Sequence, residues 1–464
     1  MEKNINRRDF LKLSGAALGT AALGTAALAG CQPKSAATTG NPTADSPAGE
    51  MEYRINPRNG DKVSLLGYGC MRWPQKPGPD GKEVIDQEKV NELVDYAIDH
   101  GVNYFDTSPA YLGGESEKAS AIALNRHPRK DFFWATKLSN FRDASREASL
   151  RMYRDSFEQL QTDYIDYYLL HSIGRGGNRA FETRYVENGM MEFLLKEREK
   201  GAIRQLGFSF HGNQKALDDL LALHGKYHWD FVQIQMNYMD WHHADGVRNV
   251  QAEYAYEQLD KLGIPITIME PLQGGRLANV PDIVAEKLKE RAPGRTVSSW
   301  AFRFAGSFPR ILTVLSGMTY LDHLTDNVAT YSGFQPLGEE DLAFLEEMAS
   351  LMKAFPTIDC NDCKYCMPCP YGIDIPGIFK HYNQMVNEGN MAQSAEQEDF
   401  RKLRRRYLIS YDRAIPTLRQ ADHCAGCKQC LEHCPQSIAI PRELRRIDAY
   451  VERLKKADFG PKIL

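Results

Sequence analysis

Between residues 51 and 338, short runs of β-branched and aromatic residues alternate with longer segments whose apolar positions recur every three or four residues. The short runs predict strands over 62–69, 104–108, 133–138, 164–171, 203–210, 231–238, 265–270 and 311–317. Segments between them, such as DQEKVNELVDYAIDHG and ASREASLRMYRDSFEQLQ, carry the spacing of amphipathic helices. Eight strand–helix units in succession predict an α/β fold, a (β/α)8 TIM barrel over 51–338. An open doubly wound sheet is the alternative, and no GxGxxG follows the first strand to support it. Beyond 338 the strand pattern stops. The stretch LGEEDLAFLEEMASLMKAF has helical spacing, and 381–418 also reads helical. A second, mainly α-helical domain is therefore expected over 339–464.

The N-terminus is of a different kind. NRRDFLK, at 6–12, precedes an uncharged run rich in Ala and Gly that ends in LAGC. The run is barely long enough, and too glycine-rich, for a membrane helix. A charged start, an apolar middle and a small-residue end are the features of a signal segment, here 1–30. Arg7-Arg8 followed by Phe10, Leu11 and Lys12 resembles a twin-arginine export signal, and LAGC resembles a lipoprotein cleavage box that leaves Cys31 acylated. An uncleaved anchor or a chance Arg pair is the alternative. Residues 31–50, rich in Pro, Ser, Thr and Ala, cannot bury a core and read as a flexible linker.

Of the 464 residues, 42% are hydrophobic and 25% charged, ordinary values for a globular protein. Lys plus Arg number 57 and Asp plus Glu 61, a net charge of −4, so no global field points to nucleic acid. The cysteines change the picture. Two stand alone, Cys31 and Cys70, and Cys70 at the end of the first strand reads as a small buried packing residue rather than a reactive thiol. The other eight form two runs: Cys360, Cys363, Cys366 and Cys369, then Cys424, Cys427, Cys430 and Cys434. The second run has the C-x2-C-x2-C-x3-C-P spacing of 4Fe–4S ligation. The first is one residue short of it. Zinc is the rival reading, although zinc sites usually use two separate C-x2-C pairs. In two-cluster ferredoxins the fourth cysteine of each run serves the other cluster. That rule groups Cys360, Cys363 and Cys366 with Cys434, and Cys424, Cys427 and Cys430 with Cys369. The basic stretch RKLRRRY, at 401–407, reads as a solvated helix face, with a docking site for an acidic electron partner as the functional alternative. His242 and His243 follow the sixth strand, with no third metal ligand apparent.

In a barrel, chemistry sits where the strands end at the C-terminal face. The second, third and fourth strands end in FDTSPAY, ATKL and LLHS, which bring Asp106, Tyr111, Lys137 and His171 to one mouth. Taken singly, each is more often a cap or a hydrogen-bonded core residue. Together they form a proton-handling device. A phenol has a pKa near 10. A Lys cation about 4 Å away, at an effective dielectric near 20, contributes on the order of 4 kcal/mol, which draws Tyr111 toward its working range. Asp106 pairs with Lys137, and His171 orients a carbonyl oxygen.

Asp106, Tyr111, Lys137 and His171 resemble the catalytic tetrad of the aldo–keto reductases, and the resemblance covers about 53–334. GFSF at 207–210, QIQMNY at 233–238, EPLQGGRL at 270–277 and SGMTYLDHLTDN at 316–327 are similar to that family's nicotinamide-nucleotide contacts. The resemblance implies that Ser209 and Gln233 hold the carboxamide, and that Leu272, Gly274 and Gly275 approach the pyrophosphate. It implies that Gly317, Thr319, Asp326 and Asn327 hold the adenosine end. Two departures stand out. Phe210 replaces the Asn that often follows the Ser, and Tyr320 stands where many members carry an Arg for the 2′-phosphate, so NADP preference over NAD is weakened. The cysteine-rich tail, with YCMPCP and DIP, is similar to the iron–sulfur domain of a subset of that family.

The expectation is an exported oxidoreductase, periplasmic or lipid-anchored through Cys31, that interconverts a carbonyl and an alcohol, a sugar or related metabolite. Its expected cofactors are two 4Fe–4S clusters and NADP or NAD. Its expected partners are a small-molecule substrate, a redox partner protein and the twin-arginine translocation machinery. The alternatives are an electron-transfer or binding module whose barrel has lost nicotinamide-dependent turnover, and a cytoplasmic enzyme with a misread leader.

Overall fold

The computed structural model describes residues 49–79, 81–247 and 249–459. Arg7, Arg8 and Cys31 lie outside the described residues. The predicted strands close into one parallel barrel. In chain order its strands are β1 (Leu66–Gly69), β2 (Tyr104–Asp106), β3 (Phe133–Leu138), β4 (Ile165–Ile173), β5 (Ile203–Phe210), β6 (Val232–Gln235), β7 (Ile266–Met269) and β8 (Ile311–Ser316), and β8 pairs back onto β1. Strands covered on both faces read as near-continuous apolar runs, and β4, IDYYLLHSI, is buried at all but one position. Tyr104, Ala135, Tyr167, Leu169 and Phe231 point inward and fill the barrel. The outer helices turn a stripe at helical spacing onto it, as Val90, Leu93, Val94 and Ala97 do in helix Gln87–Asp99.

The predicted first strand, 62–69, is two elements. Lys62–Ser64 pairs antiparallel with Tyr53–Ile55, and Val63 joins the interior cluster. Leu65 is the junction: its N–H still donates to the Glu52 carbonyl in line with that ladder, while its own carbonyl accepts from the Val314 N–H of β8 and hands the chain to the barrel. Period-2 apolarity alone does not mark the break, since both pieces are buried.

Two differences concern the C-terminal region. Helix α1 (Glu339–Lys353), expected to open the second domain, packs Leu345, Met348, Ala349 and Met352 into the barrel's own core. The span 381–418 is not one helical stretch. It comprises part of α2 (Ile375–Asn387) and α3 (Phe400–Ala414), separated by a turn in which Gly389 takes φ +65°, a conformation that suits glycine after a helix end. With α4 (Ile440–Lys456) these helices enclose a separate core that includes Ile378, Phe379, Tyr382, Tyr407, Leu444 and Ile447.

The helical region meets the barrel at the C-terminal ends of its strands. Arg175, after β4, donates to the Leu431 carbonyl at 2.6 Å. Gln436 donates to Gln235 at the end of β6 at 3.0 Å. Arg276, after β7, pairs with Asp359 at 2.9 Å.

Candidate active site

Asp106 is the last residue of β2 and pairs in register with Ala135, two residues before Lys137 on β3. In parallel strands that offset points both side chains into the same mouth. Lys137 Nζ donates to Asp106 Oδ1 at 2.5 Å and to the Thr107 carbonyl at 2.8 Å, and both side chains are almost wholly buried. Burial raises the Asp106 carboxyl, while the Lys137 cation and a hydrogen bond from Gln233 Nε2 pull it down. Tyr111 lies just beyond β2, and its ring centroid is 4.9 Å from Lys137 Nζ and 5.8 Å from the His171 ring, edge-on.

All four expected residues therefore meet, with one difference in electrostatics. The Tyr111 phenol is not drawn down. Burial holds it well above the ordinary phenol range, and the neighbouring Tyr365 phenol and Asp106 carboxylate push the same way. Lys137 sits under the ring and spends its charge on Asp106. As folded, Tyr111 is a proton-holding phenol. His171 is neutral, because burial and the cations Lys137 and Arg184 push it well below the ordinary histidine range.

The support of His171 was not legible as a motif. Its Nδ1 bonds Ser139 Oγ at 2.5 Å, with Ser108 Oγ at 3.3 Å, and Ser108 and Ser139 bond each other at 2.8 Å. Arg184 donates to the His171 carbonyl at 2.8 Å, and Tyr185 accepts from its N–H at 3.0 Å. Both come from the long segment after β4.

The residues similar to nucleotide contacts are present but engaged. Ser209 Oγ accepts from the Ser172 N–H at 2.7 Å, and Gln233 is bonded to Asp106. Asp326 accepts from Thr296 and Ser298, and Asn327 donates to Ser316. Thr319 donates to the Arg72 carbonyl at 2.9 Å. Leu272 packs on the barrel core, and Gly275 is open. Gly274 is not open: a Cβ there would stand 2.0 Å from the Asn361 carbonyl oxygen. At Gly317 a Cβ would stand 3.0 Å from Arg72 Cδ. At Gly274 and Gly317 the space a dinucleotide would approach is taken by the chain itself, so these two positions as arranged do not fit one, while Gly275 stays open. Phe210 is buried against Gly174, and Tyr320 is 64% exposed, stacked edge-on to His323. His242 and His243 are taken up by Glu346 of α1, at 2.9 Å and 2.7 Å. Cys70 is fully buried, with its thiol pushed up by burial, as a packing residue should be.

The cysteines do fit iron–sulfur ligation. Cys360, Cys363, Cys366 and Cys434 line one small apolar cavity with Ile375, Pro376 and Phe379. Cys369, Cys424 and Cys427 are the cysteines close enough to act on the Cys430 thiol. Burial pushes Cys360 and Cys366 to about 12 and Cys430 to about 11. Such thiols become thiolates only beside a bound cation. Both runs also line a larger cavity of about 1870 Å³, whose barrel side includes Tyr111, Trp73, Phe141 and Arg175. Tyr365, between two cysteines of the first run, shares that cavity. Glu270 closes β7 with φ +57°, a strained value for a non-glycine residue, and its carboxylate accepts from Asn361 at 2.8 Å. Loop packing, which no local pattern reports, brings Tyr365 to this cavity and Asn361 onto Glu270.

Comparison with known proteins accords with this architecture. Residues 65–350 match the aldo/keto reductase family, and residues 359–440 match a 4Fe–4S dicluster domain, which favours iron–sulfur over zinc. L-galactose dehydrogenase of Arabidopsis thaliana is 24% identical over 324 residues, covering 66% of this chain and 96% of that protein. An aldo-keto reductase of Mycolicibacterium vanbaalenii is 30% identical over 227 residues, 48% of this chain and 72% of its own. The holo form of an aldo-keto reductase from Bacillus halodurans superposes with a TM-score of 0.51 at 22% identity, over 64% of this chain and 96% of that one. An aldo/keto reductase from Klebsiella pneumoniae, solved with NADP and acetate, gives 0.50 at 21% identity, over 65% of this chain and 95% of its own. The structures share the barrel, and the family match spans most of the chain: this protein belongs to the aldo/keto reductase family and is an oxidoreductase with a 4Fe–4S domain at its C-terminal side.

Proposed function

We propose that the protein is an exported oxidoreductase that interconverts a small-molecule carbonyl and its alcohol, a sugar or related metabolite, and exchanges electrons through two 4Fe–4S clusters. The carrying observation is the shared cavity, which has Tyr111 on one wall and cysteines of both runs on the other. Reduction of a carbonyl takes two electrons and two protons. A 4Fe–4S cluster stores one electron, so a pair of them matches the demand. The reductant is an external one-electron carrier protein.

Tyr111 holds the proton destined for the carbonyl oxygen, and the second proton, which completes the C–H bond as the two electrons arrive, is drawn from solvent water in the open cavity. The Lys137–Asp106 pair is neutral overall and acts as an oriented dipole, with its ammonium end 4.9 Å from the Tyr111 ring centroid. Neutral His171 bonds Ser139 through Nδ1, and in the tautomer that carries its proton on Nε2 it offers that proton to the same oxygen. Phe141 and Trp73 keep part of the cavity wall apolar. By the cross-run rule, Cys360, Cys363, Cys366 and Cys434 hold one cluster, and Cys424, Cys427, Cys430 and Cys369 hold the other. Export by the twin-arginine route, which carries folded proteins, suits a chain loaded with clusters before it leaves the cytoplasm.

The test is an anaerobic assay with a reduced viologen dye as donor and a panel of aldehydes, ketones and keto sugars. Tyr111→Phe is expected to slow carbonyl-dependent dye oxidation by about 10²–10⁴-fold. Equal rates for both proteins refute the reading. A second reading, an electron-transfer module whose barrel no longer turns over with nicotinamide, is favoured by Tyr320 and by the filled cradle at Gly274. It predicts no carbonyl-dependent oxidation in either protein.

A further inference from the structure

We propose that the first cysteine loop occupies the slot in which a nicotinamide dinucleotide would cross the barrel mouth, so that the docked loop and a bound dinucleotide exclude each other. The inference rests on the family resemblance for the course of a dinucleotide past Gly274 and Gly317. It does not rest on the carbonyl chemistry proposed above.

Gly274, after β7, has φ +68° and no side chain, so its Cα is bare toward the mouth. That space is taken. A Cβ built there would lie 2.0 Å from the Asn361 carbonyl oxygen and 2.4 Å from its carbonyl carbon. Main chain cannot swing aside as a flexible side chain does, and no phosphate fits between two backbones in contact. Asn361 is itself buried, 3% exposed.

The loop is anchored from several sides. The Arg72 guanidinium, after β1, donates to the Asn361 carbonyl at 2.7 Å and to the Asp362 carbonyl at 3.3 Å. Asn361 Nδ2 donates to Glu270 at 2.8 Å, and Arg276 pairs with Asp359 at 2.9 Å. The same Arg72 covers the other half of the slot. Its stem lies on Gly317, and its carbonyl accepts from Thr319. One side chain thus fills the groove at β8 and fastens the loop that fills it at β7. The groups that would face the nicotinamide, Ser209 and Gln233, already bond Ser172 and Asp106.

Because Asn361 stands next to Cys360, displacing the loop must disturb the cluster ligands. This gives two tests on anaerobically purified full-length holoprotein. In the first, the wild type is titrated with NADH and with NADPH by nicotinamide fluorescence, while hydrogen exchange of 359–365 and the EPR signals are recorded. The expected result is no saturable binding, or binding only together with faster exchange in the loop and an altered cluster signal. Saturable binding with the loop still protected and the signals unchanged overturns the proposal. In the second, Gly274→Ala is expected to alter one cluster's EPR signal and lower the iron content, with no cysteine touched. Wild-type signals, iron content and loop exchange in that variant overturn it.

Discussion

At the scale of single residues, the site is organised by a buried ion pair. Lys137 and Asp106 are nearly inaccessible and meet at 2.5 Å. A buried pair adds little to stability as a pair, but removing one partner strands a charge, at about 3–5 kcal/mol. Asp106→Asn is therefore expected to lower unfolding stability by that order, read by anaerobic urea denaturation, and to lower turnover as well. A change under 1 kcal/mol contradicts the pairing. His171 makes a pH prediction with a definite sign. Its native pKa lies well below its unfolded value of about 6.5. The unfolded chain takes up the proton first, so the contribution to stability is complete above pH 6.5 and is lost as pH falls through the window below it. The neighbouring His211, lowered to about 4 by burial and Arg175, acts in the same direction. His171→Asn is expected to flatten the fall of Tm between pH 6.5 and 4, and an unchanged slope counts against a neutral His171. Asp106, Lys137 and His171 were legible because strand ends converge in any barrel, and Tyr111 because it follows β2 closely. Its protonation was misjudged because burial, which a sequence does not display, outweighs the attraction of a cation already committed to Asp106.

At the scale of elements, parallel strands approach so closely that some positions admit no side chain. Gly207 on β5 is one: a Cβ there would fall 2.2 Å from the Phe231 carbonyl oxygen. Gly207→Ala is expected to cost about 3 kcal/mol through overpacking, measured by denaturation, with the loss seated in packing rather than chemistry. The cysteine runs make a sharper prediction. Cys434 lines the cavity of Cys360, Cys363 and Cys366 although it belongs to the second run. Cys434→Ser and Cys363→Ser are expected to remove the same EPR signal, and Cys369→Ser and Cys424→Ser the other. Loss sorted by run instead of across runs contradicts the arrangement. Element type was readable where periodicity was long and strong, as in all eight barrel strands. It failed at junctions: the turn at Leu65, the assignment of α1 to its packing partner, and the break between α2 and α3. Each of these is decided by a tertiary contact or a single backbone bond, which leaves the local pattern of apolar residues unaltered.

At the scale of the molecule, a barrel and a helical cluster domain face each other across one cavity, and the loop bearing the first cysteine run is part of the barrel's roof. Neither the roof nor the filled nucleotide slot could be read from spacing, because both depend on how Asn361, Arg72 and Glu270 pack across some 290 residues of chain. The proposed export belongs to this scale as well. Arg7→Lys combined with Arg8→Lys is expected to strand the cluster-loaded protein in the cytoplasm, and Cys31→Ser to move the exported protein from membrane to soluble fraction. Unchanged fractionation of the first variant rules out the twin-arginine route. The central claim, that the Tyr111 pocket and the clusters work on one electron pair, has a direct test. Full-length protein reduced anaerobically, freed of excess reductant and mixed with a candidate carbonyl is followed by its visible iron–sulfur absorbance, beside Tyr111→Phe treated in the same way. The account predicts reoxidation of both clusters at one carbonyl per pair in the wild type and none on that timescale in the variant. Clusters that stay reduced, while NADH or NADPH drives turnover of the same carbonyl, contradict it.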